Sequence, residues 1–282
     1  MADSIFSGLE SFGFSGLEGM SLFEDENKKK EAAAAANAGK PAVPEVTEKD
    51  FLIDKTMECP VCETQFRYRA VKASSAKLVS TDKDLRPRHA NIDVSKYDAI
   101  MCPMCGYTAL TRYYSGILDS QKKKVREKIG MTFKTHTGAP QVYTYDDAIE
   151  YYKMALLNAV VKGAKNSEKA YICLKSSWMY RGKAEEVGES NPEYAKIKAN
   201  EAEFTKNAYE GFVAAVSTES FPMCGMDEIT VDYLIANLAD MTGHYDVCSK
   251  MIAKILGSNS ASPRIKDKTR DLKEEVLKKI RK

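Results

Sequence analysis

Four cysteines stand in two matched pairs, Cys59 and Cys62 in CPVC and Cys102 and Cys105 in CPMCG. Each C-P-x-C turn aims two sulfurs and several backbone N–H groups at one point. Two such turns facing each other supply four thiolates, a donor set that suits tetrahedral Zn²⁺. The same sulfurs would accept iron in a rubredoxin-like site, so the spacing leaves zinc and iron both open. A thioredoxin-like redox dithiol needs one C-x-x-C opening a helix in a βαβ frame, and duplication of the turn argues against it. Four protein ligands close the coordination sphere and leave no position for water or substrate, so the expected ion is structural. Gly106 follows the second pair and permits the positive φ that such a turn uses, while Glu63 fills the matching place after the first.

The remaining reactive side chains read more plainly. Cys173 and Cys248 fall inside helical patterns as small core residues, and Cys224 in FPMCGMDE is the ambiguous one. Asp82, Asp84, Arg86 and Arg88 in DKDLRPRH form a charged loop suited to packing against its neighbour through Arg–carboxylate pairs. His89 reads as a surface residue, because four cysteines already suffice for an ion. Asp227 and Glu228 have the types of an acid–base pair, but the pattern fits a helix start better, with Gly225 in the turn, Asp227 as cap and Glu228 in the first turn. Trp178 and Tyr180 in SSWMYRG sit at helical spacing as core, with lining of a partner groove as their functional alternative. No GxxxxGK, GxGxxG, HExxH or GxSxG is present, and the three histidines stand apart from any nucleophile in sequence, so nothing argues for an enzyme.

These residues need elements to hold them. The chain has 282 residues, 44% hydrophobic and 29% charged, with a net charge of +2. That balance fits a globular protein and demands neither nucleic acid nor an anionic membrane as partner. No apolar run is long enough to span a bilayer, and the first residues lack the features of a secretory signal, so the expected location is cytoplasmic, with the cysteines reduced. Residues 1–27 repeat Phe6-Ser7-Gly8-Leu9-Glu10 as Phe14-Ser15-Gly16-Leu17-Glu18 in an acidic, glycine-containing tail with no isolated helix expected. Phe6, Leu9, Phe14 and Leu17 make a two-copy partner motif, or else belong to an unselected low-complexity tail. Residues 28–48 read as a linker.

The metal module is expected over residues 49–141. Strands are expected over 65–73 and 77–81, a loop mainly over DKDLRPRHANIDVSKYDAI, and a helix from TALTRYY to Gly130 with a basic, solvated end at Lys122–Lys128. Residues 142–282 read as helical almost throughout. Ala148, Tyr152 and Ala155 share one face; Ala208, Phe212 and Ala215 repeat the small–large–small pattern, and Cys248, Ile252 and Ile255 do so imperfectly. The repeats are separated by 60 and then 40 residues rather than by a regular 34, so the stack is tetratricopeptide-like rather than a regular array. The fold class is therefore multi-domain: a small β-containing, zinc-ribbon-like module followed by an all-α tetratricopeptide-like bundle.

The runs DKDLRPRHANIDVSKYDAIMCPMCGYTA and FPMCGMDEITVDYLIANL carry a resemblance. From about Asp50 to Leu272 the chain resembles a bacterial family of uncharacterised proteins, common in Firmicutes, that joins a CPxC…CPxCG module to tetratricopeptide-like helices. The resemblance places Asp82, Asp84, Leu85, Arg86, Pro87, Tyr97 and Asp98 in one marker and Gly225, Met226, Asp227 and Glu228 in a second. The family has no assigned activity, and Glu63 departs from its usual glycine.

Taken together, the residues point to a non-catalytic cytoplasmic adaptor or scaffold with a structural four-cysteine zinc site and a helical groove for a protein or peptide. The alternatives are nucleic-acid binding by the ribbon with Lys122–Lys128, and a rubredoxin-like iron redox protein.

Overall fold

The computed structural model describes residues 46–72, 75–136 and 140–281. Met1–Val46 and Thr47–Lys282 are separate units. The tail motif with Phe6, Leu9, Phe14 and Leu17 lies outside the described residues.

Three antiparallel hairpins come first. Strands β1 (Leu52–Glu58) and β2 (Gln65–Val71) pair from Leu52 opposite Val71 to Glu58 opposite Gln65. The alternation in QFRYRAV buries Phe66 and Ala70 and leaves their neighbours further out. Strands β3 (Leu78–Thr81) and β4 (Pro87–His89) form a second hairpin, and β5 (Ala99–Met101) and β6 (Thr108–Leu110) a third. Every residue of β5 and β6 is buried, because a long helix lies across them.

Seven helices follow among the described residues. They are α1 (Asp119–Val125), α2 (Tyr145–Lys162), α3 (Asn166–Val187), α4 (Tyr194–Val216), α5 (Glu228–Met241), α6 (Tyr245–Gly257) and α7 (Pro263–Ile280). Thr144 starts α2 with a capping box, its hydroxyl accepting from the Asp147 N–H while the Asp147 carboxylate accepts from the Thr144 N–H. Ser262 caps α7, with Pro263 in its first turn. Helix α3 is the centre of the molecule, packed between α2 and α4 and buried around most of its circumference. The small–large–small positions are core: Ala148, Tyr152 and Ala155 on α2, Ala208, Phe212 and Ala215 on α4, and Cys248, Ile252 and Ile255 on α6 are all buried. None of these helices is long and apolar enough to cross a membrane.

Two sequence expectations need correction. The helix placed over TALTRYY begins only at Asp119, because Thr108–Leu110 is claimed by pairing with Ala99–Met101 and the chain turns before helix can start. The Gln121 side chain then accepts the Leu118 N–H at 3.1 Å. The stretch 82–100, expected mainly as loop, also contains β4, held by pairing with β3, and a 3₁₀ turn at Val94–Tyr97 and most of β5, which are held by burial against the helices.

Candidate metal centre

Each cysteine pair occupies the turn of a hairpin, CPVC between β1 and β2 and CPMC between β5 and β6. The two turns are built alike. The Cys59 N–H donates to the Thr64 carbonyl at 3.0 Å and the Glu63 N–H to the Cys59 carbonyl at 2.8 Å. The Cys102 N–H donates to the Tyr107 carbonyl at 2.8 Å and the Gly106 N–H to the Cys102 carbonyl at 3.0 Å. Closing the turn this way requires a left-handed residue after the second cysteine: Gly106 has φ 70° and Glu63 has φ 62°. Glu63 thus takes the glycine-like conformation in spite of its side chain.

The structure brings all four predicted ligands together. Cys59 Sγ lies 3.6 Å from Cys105 Sγ, and Cys62 Sγ 3.6 Å from Cys102 Sγ. All four sulfurs fall within 4.8 Å of one another. A tetrahedral Zn²⁺ with bonds of about 2.3 Å separates its sulfurs by roughly 3.8 Å, so the cluster has the size of a four-thiolate site. Cys59, Cys102 and Cys105 are buried and Cys62 is half-buried. Hydrogen bonds from Cys102 and Cys105 hold the Cys59 thiol below the ordinary thiol range, while Cys105 is pushed up by its bonds to Cys102 and Cys59 and by burial. The protons are shared because four neighbouring thiolates repel. A divalent cation removes that conflict by supplying the positive charge the cluster lacks.

The surroundings fix both turns. Arg126, in the π turn after α1, donates from Nε to the Val61 carbonyl at 2.5 Å. Asn158 of α2 donates from Nδ2 to the Gly106 carbonyl at 3.0 Å. Val61, Phe66, Ile100, Tyr107, Tyr114 and Ile117 form an apolar shell around the sulfurs. The basic segment 122–128 is in part a clamp on the first turn, and in part paired locally, as Lys122 is with Asp119 at 2.8 Å.

The charged loop forms a second cluster at the tip of the β3–β4 hairpin, which docks on α3. Asp84 accepts from Trp178 Nε1 at 3.0 Å and from Arg181 Nη2 at 2.7 Å. Arg181 also donates to Glu201 at 2.8 Å. Arg86 pairs with Asp93 at 2.8 Å, and Arg88 with both Asp82 at 2.8 Å and Glu185 at 2.6 Å. Asp82, Asp84 and Arg86 are therefore consumed by internal pairing. Asp98 pairs with Lys175 of α3 at 3.0 Å. Asp227 caps α5 by accepting the Thr230 N–H at 2.8 Å, and Glu228 reaches Lys254 of α6 at 2.7 Å, so the two carboxylates turn to different partners.

Trp178 and Tyr180 are both buried, the first on Asp84 and the second stacked on Phe204 with ring centroids 5.4 Å apart. His89 is half-buried on β4 rather than exposed, and it is not among the groups that converge on the sulfurs. Cys173 and Cys248 are core thiols that burial pushes up to about 12. Cys224 donates its thiol to the Ser167 carbonyl at 3.2 Å.

Sequence reasoning missed Arg112, Arg126, Asn158, Lys175, Arg181 and Glu185. Only Asn158, a polar residue in an otherwise apolar stretch of helix, carried a usable signal. Arg112 donates to the Cys224 carbonyl, and a Cβ on Gly225 would lie 2.4 Å from its Nη2. The FPMCG turn thus accepts a guanidinium from the hairpin half of the chain.

Comparison with known proteins places the chain. A family profile described as an uncharacterized protein conserved in bacteria (DUF2225) matches residues 52–276, and the chain belongs to that family. No curated protein and no solved structure matches it.

Proposed function

We propose that this protein is a non-catalytic cytoplasmic adaptor whose four clustered cysteines hold a structural Zn²⁺ ion. The observation that carries the reading is the closure of the site: four sulfurs within 4.8 Å fill the coordination sphere and leave nothing for substrate. When bound, the ion supplies the positive charge that lets all four thiols ionise. Cys59 and Cys62 then fix the β1–β2 turn to the β5–β6 turn, which Cys102 and Cys105 carry and α2 supports through Asn158.

The adaptor role rests on the helical half. The small residues at Ala148, Ala155, Ala208 and Ala215 support a tetratricopeptide-like stacking of hairpins. A cleft of about 460 Å³ between α4 and the α5–α6 turn, lined by Lys198, Ala202, Thr205, Met241, Thr242 and His244, offers an apolar floor with charged edges to a peptide. The polar groups suited by type to catalysis, Asp82, Asp84, Asp227 and Glu228, are occupied by partners within the chain.

The test has two steps. Immobilised full-length protein is used to capture bacterial proteins, and each captured protein is then purified and its binding measured by calorimetry, with residues 1–26 present or deleted. Saturable binding of a purified protein supports the adaptor reading. Failure of every purified candidate to bind, or turnover of a small molecule by the isolated chain, overturns it.

A further inference from the structure

Inside the shell around the sulfurs, one polar atom has no partner. Tyr114 is 1% exposed, and its Oη is buried without a hydrogen bond. An orphaned buried hydroxyl is costly, so it is rarely left without a reason. The ring cannot turn away easily. It packs on Tyr107 with centroids 4.9 Å apart and on Phe66 at 6.2 Å, and Tyr107 Oη donates to the Tyr114 carbonyl at 2.9 Å. Tyr114 shares one buried cluster with Cys59, Cys102 and Cys105.

We propose that Tyr114 is a positioning residue for the metal, its phenol donating to the Cys59 thiolate once an ion is bound. The inference rests on the metal reading above and adds to it a named donor. Without an ion, Cys59 Sγ has a neighbouring thiol, Cys105, at 3.6 Å with which to share a proton. As each metal–sulfur bond forms, the thiol proton leaves to water, and Cys59 loses that donor. The donors that remain include the Val61 N–H, already 3.4 Å from its sulfur, and the unpartnered Tyr114 phenol of the same buried cluster. Outer groups of this kind orient a ligand and take up part of its charge, and their loss weakens metal binding by roughly 10- to 100-fold.

The test compares full-length wild type with Tyr114→Phe, which keeps the ring and deletes the unpartnered oxygen. Zinc affinity is measured by competition with a chromophoric chelator, and the sulfur-to-cobalt charge-transfer bands are recorded after Co²⁺ substitution. Tyr114→Phe is expected to bind zinc about 10- to 100-fold more weakly and to shift those bands. Its metal-free melting temperature is expected to equal or exceed that of wild type, because the oxygen has no partner in that state. Equal affinity and unchanged bands overturn the proposal, as does an equal loss of stability with and without metal. A wild-type protein that takes up neither zinc nor cobalt overturns the metal reading itself, and Tyr114's role with it.

Discussion

Asp84 accepts the indole N–H of Trp178 at 3.0 Å across 94 residues of chain. The bond joins the tip of the β3–β4 hairpin to the central helix α3, and Arg181, one turn further along α3, grips the same carboxylate at 2.7 Å. Trp178 is the single tryptophan, so its fluorescence reports this docking directly. Asp84→Ala leaves a largely buried guanidinium short of its closest anion and is expected to cost about 3–5 kcal/mol. Asp84→Asn keeps an acceptor for the indole and is expected to cost less. Denaturant titration followed at Trp178 checks both, and an unchanged midpoint for Asp84→Ala would remove the hairpin from the fold's supports.

Acid should loosen the same joint. Burial works to raise Asp82 and Glu185, but hydrogen bonds from Arg88 together with the charges of Arg86, Arg88 and, at Asp82, Arg181 outweigh it, so both end below the ordinary carboxylate range. A carboxyl lowered in the folded state contributes stability that is full above its unfolded value of about 4 and is lost as pH falls through the folded value. Acid also strips metal from thiolates, so the informative quantity is a difference between proteins. Arg88→Met should be less stable than wild type at pH 7, and the gap should close below about pH 4. A gap that stays constant from pH 7 to pH 3 contradicts this.

The left-handed residue after each cysteine pair gives a mirrored pair of substitutions. Glu63→Gly relieves a conformation that costs an L-residue about 1–2 kcal/mol and gives back part of that in unfolded-chain entropy, for a net gain of about 1 kcal/mol. Gly106→Ala adds a Cβ that would lie 2.5 Å from the Phe133 ring at φ 70°, and it should be destabilising by more than the Glu63 change gains. Thermal melts of the metal-loaded variants decide. If Glu63→Gly is the less stable protein, the strain assigned to Glu63 is not there.

Arg112 and Gly225 should be coupled. Gly225→Ala places a methyl against the end of the Arg112 side chain at φ 77°, for an expected loss of about 1–2 kcal/mol, most of it from the left-handed backbone. Combined with Arg112→Ala the clash vanishes, so the double variant should be more stable than the sum of the single losses implies. Additive losses would mean that the FPMCG turn is not built around this guanidinium.

What the chain made legible follows from distance along it. The metal ligands, the Asp227 cap and the apolar faces of α2, α4 and α6 are local patterns, read within a few residues of themselves. The long-range partners of Asp84 and Arg86 were not legible, because Arg181 and Glu185 lie about a hundred positions away and no spacing announces them. The chain signalled only that this loop would find carboxylates or guanidiniums somewhere. The false helix over TALTRYY arose because Thr108–Leu110 is too short for alternation to show, and its strand state is fixed by Ala99–Met101 and by helix α2 above it. Trp178 illustrates the same limit: helical spacing placed it in the core, and only the fold supplies the acceptor for its N–H.

The measurement that bears most directly on the account is metal content joined to stability. Full-length protein purified without added metal is analysed for zinc and iron, then melted before and after a chelator, with Cys59, Cys62, Cys102 and Cys105 changed together to serine as the comparison. The account predicts one zinc ion per chain, a large fall in melting temperature when it is removed, and a serine variant that melts like the stripped protein whether or not zinc is supplied. A chain that carries no metal, or one whose melting is the same loaded, stripped and substituted, would contradict it.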